Sequence, residues 1–403
     1  MPYPPHHYIA PVFALVLLGA VTLLPACTPA PTPPPDHQAY IWQRVWTPAV
    51  STAIANAPAS VNGFRLLVAE AAAPSGWQTV RFNSSLPTSR PPRLQRPIAV
   101  IRVSGQRGIE EPEVQQHLFA WVAAQRPEDW AGLEVDYDCP TSRLPEYAAV
   151  LKQVRTNLPH DWQLSMTALP AWIGSPALPH VLAQVDSSVL QVHSVMRPQL
   201  GLFQAGIALR WARDYARIAP HRFRLALPNY GSRVAWNADG TVTGVVSEDF
   251  APLPADSSEL MAEPAEVARL MAELQRRPLP QLAGYVWFRL PVDGDRRIWS
   301  SGTWKAVLEQ RSLQAGFTLE KKAEPNGAKW ISVRNTGSTD GTFSGGIRQA
   351  EPCLAADAVR PFTLERTAEA TRWRLRAGLW LRAGEQVYVG WTRCSATTGM
   401  DSL

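Results

Sequence analysis

Lysine is nearly missing from this chain: Lys152, Lys305, Lys321, Lys322 and Lys329 stand alone among arginines. Those arginines are scattered, with no basic run and no stripe along one helix, although the formal net charge is +5. The clustered positive footprint of a nucleic-acid binder is therefore absent, and no DNA or RNA partner is expected. Cysteine is scarce as well, at Cys27, Cys139, Cys353 and Cys394, and no His/Cys spacing supports zinc. There is no P-loop, no glycine-rich dinucleotide turn and no nucleophile-elbow serine, so no cofactor is expected. Long apolar runs are missing too. Val12 to Leu24 is the one sizeable stretch, and it is too short for a comfortable transmembrane helix.

What remains is an ordinary globular composition, 46% hydrophobic and 18% charged, in a chain of 403 residues. That length suits one large domain and one small one. Sixteen tryptophans are more than a core needs. Indole offers a flat face and one N–H, which suits sugar rings, although barrel packing accounts for most of them. The apolar N-terminal run reads as an export signal over residues 1–26. It ends in Leu24-Pro25-Ala26-Cys27, which resembles the lipobox of bacterial lipoproteins and implies a lipid on Cys27. Residues 27–38 are a proline-rich spacer, stiff and extended, that would hold a domain off a membrane surface. An exported, lipid-anchored protein at the outer membrane or periplasm is the resulting expectation. Export permits a disulfide between Cys353 and Cys394, which flank the small C-terminal region, and leaves Cys139 as a buried thiol.

From Tyr40 to about Arg311, strand-like and helix-like segments alternate. The strands are predicted at Tyr40–Trp46, Gly63–Glu70, Pro97–Ser104, Gly132–Asp138, Gln163–Leu169, Ser188–Val195, Arg222–Asn229 and Leu282–Leu290. Eight strands with helical crossovers predict an α/β fold, a closed (β/α)8 TIM-type barrel over residues 39–312. Val234–Val246 reads as a hairpin inserted after the seventh strand, with Ala238-Asp239-Gly240 at its tip. Beyond Leu313, short alternating segments separated by Gly/Asn/Asp turns predict a small β-sandwich over residues 313–403. A sugar-binding appendage and a structural buttress both fit it.

The informative stretch is Gly132-Leu133-Glu134-Val135-Asp136-Tyr137-Asp138. Strand side chains alternate, so Glu134, Asp136 and Asp138 share one face, which cannot be a packed apolar layer. Neighbouring carboxylates repel, which raises one pKa and keeps a proton donor available near neutrality. Reactive groups of parallel barrels lie at the C-terminal ends of strands, which makes Asp138 the most exposed of the three. The same level is expected to gather Glu70, Arg102, Gln191, His193, Asn229 and Tyr230. One inward parity on strand one collects Trp42, Arg44 and Trp46, and on strand eight Tyr285, Trp287 and Arg289. The three acids also offer oxygen ligands for Mg2+ or Ca2+, but adjacent positions of one strand converge poorly on an ion, and no metal is expected.

Ala131-Gly132-Leu133-Glu134-Val135-Asp136-Tyr137-Asp138 resembles the fourth-strand motif of chitinase-like (family 18) glycoside hydrolases, Asp-Gly-x-Asp-x-Asp-x-Glu. Gly284-Tyr285-Val286-Trp287 resembles their eighth strand. The resemblance implies an acid/base role for Asp138, a supporting role for Asp136 and ring stacking for Trp287. Alanine and glutamate stand here for the motif's first two acids, and Asp138 for its terminal glutamate. Taken whole, the chain is similar to an uncharacterised family of proteobacterial lipoproteins classed as a domain of unknown function, which implies no activity. The expectation is a glycoside hydrolase acting on a polysaccharide, with Asp138, Asp136 and Glu134 as catalytic candidates. Sugar contacts are expected from the residues at the other strand ends. A non-catalytic glycan-binding or envelope-scaffold protein on a degenerate barrel is the alternative.

Overall fold

The computed structural model describes residues 1–3, 35–72, 75–80, 94–104, 106–193, 201–237, 241–246, 258–350, 353–375, 378–394 and 400–402. The expected signal segment, Cys27 and most of the proline-rich spacer lie outside them, as does the Ala238-Asp239-Gly240 hairpin tip. Residues 34–403 form one compact unit.

The barrel strands are β1 (Asp36–Ile41), β2 (Val61–Ala72), β3 (Ile98–Val103), β4 (Gly132–Tyr137), β5 (Gln163–Ala168), β6 (Ser187–Gln191), β7 (Phe223–Pro228) and β8 (Leu282–Phe288). All pair in parallel with their neighbours, β8 joins β1, and β1 joins β2, so the sheet closes. The expected (β/α)8 architecture is therefore observed. Helices α1 (Pro48–Ala55), α2 (Pro112–Ala123), α3 (Leu144–Asn157), α4 (Leu178–Leu182), α5 (Ala205–Ala216), α6 (Pro264–Arg276) and α7 (Ser301–Leu308) lie along the chain between and after these strands. Their spacing explains their docking. In α6, Val267, Leu270, Met271 and Leu274 recur at helical intervals and are buried, while Pro264 starts the helix where no N–H is needed. At the start of β4 the strands approach closely: a Cβ on Gly132 would lie 2.2 Å from the Gln163 carbonyl oxygen, so only glycine fits.

Both faces of a barrel strand are buried, one in the interior and one under helices. Tyr40 of β1 and Trp42, just past its end, pack inside with Leu67, Val100, Val189, Ala226 and Val286, with Phe288 against them. Ala39 and Ile41 face the helices instead. After β7 the chain makes a three-stranded excursion, Gly231–Trp236 pairing with Val242–Val246 and Ser258–Met261.

Beyond α7, antiparallel strands enclose a second core of Ile331, Val333, Phe343, Ile347, Phe362, Trp373, Leu381 and Val389. Cys353 and Cys394 are bonded, as expected, and Cys139 is buried. The bond closes a loop across a separation of 41 residues. Replacing both cysteines by serine is expected to lower the stability of this region by about 2–4 kcal/mol. Urea unfolding followed by the near-ultraviolet signal of its tryptophans checks it. The sandwich also grips the barrel. Asp340 accepts from the Ser300 N–H and hydroxyl at 2.7 and 2.8 Å, and Ser300 in turn caps α7 through the Thr303 N–H.

Candidate active site

The acids of β4 do point into the barrel, but the structure divides them between two levels. Glu134 is the deeper. It is wholly buried and paired with Arg65 of β2, and it accepts from Tyr40 at 2.6 Å and Ser165 at 2.9 Å. Gln38 accepts from the same arginine at 2.9 Å. A fully satisfied buried pair with no route to solvent is an internal support, which corrects the expectation of a catalytic Glu134. The Arg65 signal was present in the sequence, as a lone cation amid apolar residues of a strand, because a buried charge requires a partner.

Asp136 and Asp138 lie above this layer, toward the C-terminal ends of the strands. Asp136 is buried and accepts from Thr167 at 2.6 Å, and Asp138 is partly exposed. The amide nitrogen of Gln191 donates to Oδ1 of both acids at 3.2 Å, holding the two carboxyls within two hydrogen-bond lengths of each other. Burial first, then the Asp138 charge, pushes Asp136 up to about 7, against the pull of Arg102 and the Thr167 hydrogen bond. Burial also raises Asp138, opposed by Arg102 and Gln191. The pair therefore retains a shared proton near neutral pH.

Cross-strand register explains why one proton suits the site. Glu70, Arg102 and Asp136 are directly opposed across β2, β3 and β4, and Arg44 clamps Glu70 with two 2.7 Å hydrogen bonds. Arg44 and Arg102 thus face Glu70, Asp136 and Asp138, and one proton on the acids brings the row to neutrality. The Arg102 guanidinium also lies 5.8 Å from the centre of the Trp42 ring.

The aromatic wall differs from the expectation. Trp287 is fully buried on the outer side of β8, with ring centres 6.2 Å from both Trp299 and Trp304, and its N–H donates to His37 at 3.1 Å. Ala39 stands opposite it in β1 and leaves room for the indole under α7. The inward positions of β8 are instead Val286 and Phe288, so the expected inward parity of Tyr285, Trp287 and Arg289 is reversed. Both parities were apolar, and alternation alone could not choose between them. Arg289 lies past the strand and pairs with Asp295 rather than with the acids. Trp46 is likewise not in the mouth. β1 ends at Ile41, and the Trp46 N–H donates to Ser51 of α1 at 2.9 Å.

Phe288 occupies the place expected of an indole. His193 stacks on it with ring centres 5.3 Å apart, and Trp42 meets it edge-on at 5.0 Å. The His193 Nδ1 lies 3.1 Å from the Tyr230 hydroxyl, and burial lowers its pKa to about 4, so it stays neutral. Asn229 is buried and donates to the Arg289 carbonyl at 2.8 Å, fixing the β8 exit rather than facing the acids. The structure thus gathers Asp136, Asp138, Gln191, Arg102, Glu70 and Trp42, with His193 and Tyr230 beside Phe288. Sequence reasoning missed Tyr40, Arg65, Ser165, Thr167 and Phe288. Cys139, next to Asp138, has its thiol pushed up to about 12 by burial and stays protonated. Among the described residues no group of three His, Cys, Asp or Glu side chains is arranged to hold a metal ion.

Residues 94–293 match DUF3142 and residues 318–395 match DUF8456, each a domain of unknown function. No curated protein matches the chain. Among solved structures, the chain is similar to the Bacillus cereus spore cortex-lytic enzyme SleL at 11% identity, covering 70% of this chain and 75% of that one with a TM-score of 0.48. It is also similar to a chitinase from Chromobacterium violaceum (11% identity, 68% and 98% covered, TM-score 0.45). A third likeness is to the family 18 chitinase ChiB of Flavobacterium johnsoniae, at 12% identity, with 69% and 94% covered and a TM-score of 0.43.

Proposed function

We propose that the protein is a glycoside hydrolase that cleaves a polysaccharide at the barrel mouth. One observation carries the reading: two inward carboxyls bridged by one glutamine amide, where burial and the Asp138 charge push Asp136 up to about 7. Such a pair supplies a proton donor and a negative charge together, which is what breaking an acetal requires. Asp138, the outer acid, gives its proton to the glycosidic oxygen as the bond from the anomeric carbon to that oxygen breaks. Asp136, then ionised, stabilises the positive charge left on the sugar. Water adds to that carbon and returns its proton to the pair, restoring the starting state. Phe288, half-buried, is the ring placed to meet a sugar, with Trp42 edge-on against it and the buried pair of His193 and Tyr230 behind. The Cys353–Cys394 bond supports an oxidising compartment, consistent with export and with a lipid on Cys27.

The test is release of reducing ends from chitin, peptidoglycan and exopolysaccharide as a function of pH. Turnover needs one proton in the pair, so above about 7 the rate is expected to fall about tenfold per pH unit. A rate flat to pH 9 on a cleaved substrate would exclude the pair as proton donor. Asp138 has one methylene less than the glutamate of the chitinase-like motif, and this favours a second reading, glycan binding without cleavage. Binding of these polymers with no reducing ends released would select it.

A further inference from the structure

The outer face of the C-terminal sandwich carries a feature that its folding does not require. In the sheet made by Phe317–Ala323, Lys329–Asn335, Gln386–Arg393 and Ala355–Ala358, one face supplies Ile331, Val333 and Val389 to the core. On the opposite face, Lys322, Trp330, Trp391 and Asp357 stand directly opposite one another in a single row across all four strands. Both indoles are half-buried, and neither belongs to the core. Beside them Tyr388 is 50% exposed, with its ring 5.5 Å from Trp330 at 68°. Small polar residues would serve a solvent face at lower cost, and clustered exposed aromatics mark a binding surface.

The surroundings identify the ligand. The Trp330 and Tyr388 rings, inclined at 68°, give a floor and a wall, a shape that grips a pyranose by its C–H face while leaving its equatorial hydroxyls at the edge. Polar groups for those hydroxyls lie in the adjoining rows. Arg334 donates to Glu320 at 2.8 Å, and the Gln386 amide donates to Glu320 at 3.0 Å and to Ser332 at 2.6 Å. Charges of both signs surround the rings: Lys322, paired with Glu324, and Asp357 end the aromatic row, Glu320 pairs with Arg334, and Arg393 lies two residues beyond Trp391. This balance suits a neutral chain of sugars and gives no advantage to a polyanion. From this arrangement we infer that Trp330, Trp391 and Tyr388 form a second, non-catalytic site that binds a neutral polysaccharide. The site presents substrate to the protein whether or not the barrel cleaves it.

Depletion of the full chain from solution by insoluble chitin and by cellulose tests the inference, with soluble polygalacturonate as the anionic competitor. Trp330→Ala and Trp391→Ala are each expected to weaken adsorption roughly tenfold, with Lys152→Ala, an exposed change on α3 of the barrel, adsorbing like the unsubstituted chain. Polygalacturonate should not compete. Near-ultraviolet circular dichroism establishes that each variant keeps its sandwich fold, and Tyr388→Ala serves if an indole variant does not. Adsorption unchanged in the Trp330→Ala/Trp391→Ala double variant would overturn the site, as would failure of the unsubstituted chain to adsorb to either polymer. Self-association on sedimentation that Trp330→Ala abolishes would also overturn it, by placing a second copy on this face. The readout is binding, so its failure leaves the barrel chemistry standing, and loss of the barrel reading leaves this one intact.

Discussion

Asp138→Asn is expected to lower turnover roughly a hundred- to ten-thousand-fold while leaving the thermal unfolding midpoint unmoved. Asparagine keeps the shape and can still meet Gln191 once its amide is oriented, but it has no proton to give. Asp138 is partly exposed and burial disfavours its charged form, so replacing it by a neutral side chain of the same shape costs little folding energy. The change separates chemistry from binding, because affinity for the polymer should survive. Activity retained on a substrate that the unsubstituted chain cleaves would remove Asp138 from the mechanism. Asp136→Asn complements it: removing one of two coupled carboxyls changes the charge beside the other, so the alkaline limb of the pH profile should move as well as the rate.

The second large effect concerns stability. Arg65 and Glu134 are 1% and 0% exposed and are tied together inside the barrel. Arg65→Met strands the Glu134 charge in an apolar interior and is expected to destabilise the fold by about 3–5 kcal/mol. Tyr40 and Ser165 would remain as neutral donors, insufficient to replace a guanidinium. Adding Glu134→Gln to the same chain removes the orphaned charge and should recover most of the loss. Urea midpoints of the single and double variants decide it. A single variant as stable as the parent chain would mean that the pair contributes nothing. The pair also lies beneath Asp136, so a distorted Arg65 layer should lower turnover in the single variant and restore it in the double.

Much of the fold is legible in the amino-acid sequence. Six of the eight barrel strands lie within two residues of their expected positions at each end, because each is a short apolar run bounded by Gly, Pro or polar turns, while the sixth ends at Gln191, short of the expected Val195, which lies outside the described residues. The first differs most. It was expected at Tyr40–Trp46, but hydrogen bonding begins at Asp36, inside the proline-rich segment, and stops at Ile41. The acidic run of β4 was legible for a firmer reason: carboxylates at alternate positions of a buried strand have no apolar explanation.

The residues that failed to converge share one cause. In a barrel strand both faces are apolar, so neither composition nor alternation says which indole looks inward. The sequence by itself determined the strand order and the acid-bearing strand, which follow from local pattern; it allowed a bond between Cys353 and Cys394, which the structure forms. Only the tertiary structure decided that Phe288 rather than Trp287 lines the mouth, since that follows from the space opposite Ala39 and the docking of α7. It also decided that Arg65 claims Glu134 and leaves Asp136 and Asp138 to share a proton. Those outcomes depend on which side chains from separate strands meet at one height, and strand-to-strand register fixes that only when the barrel closes.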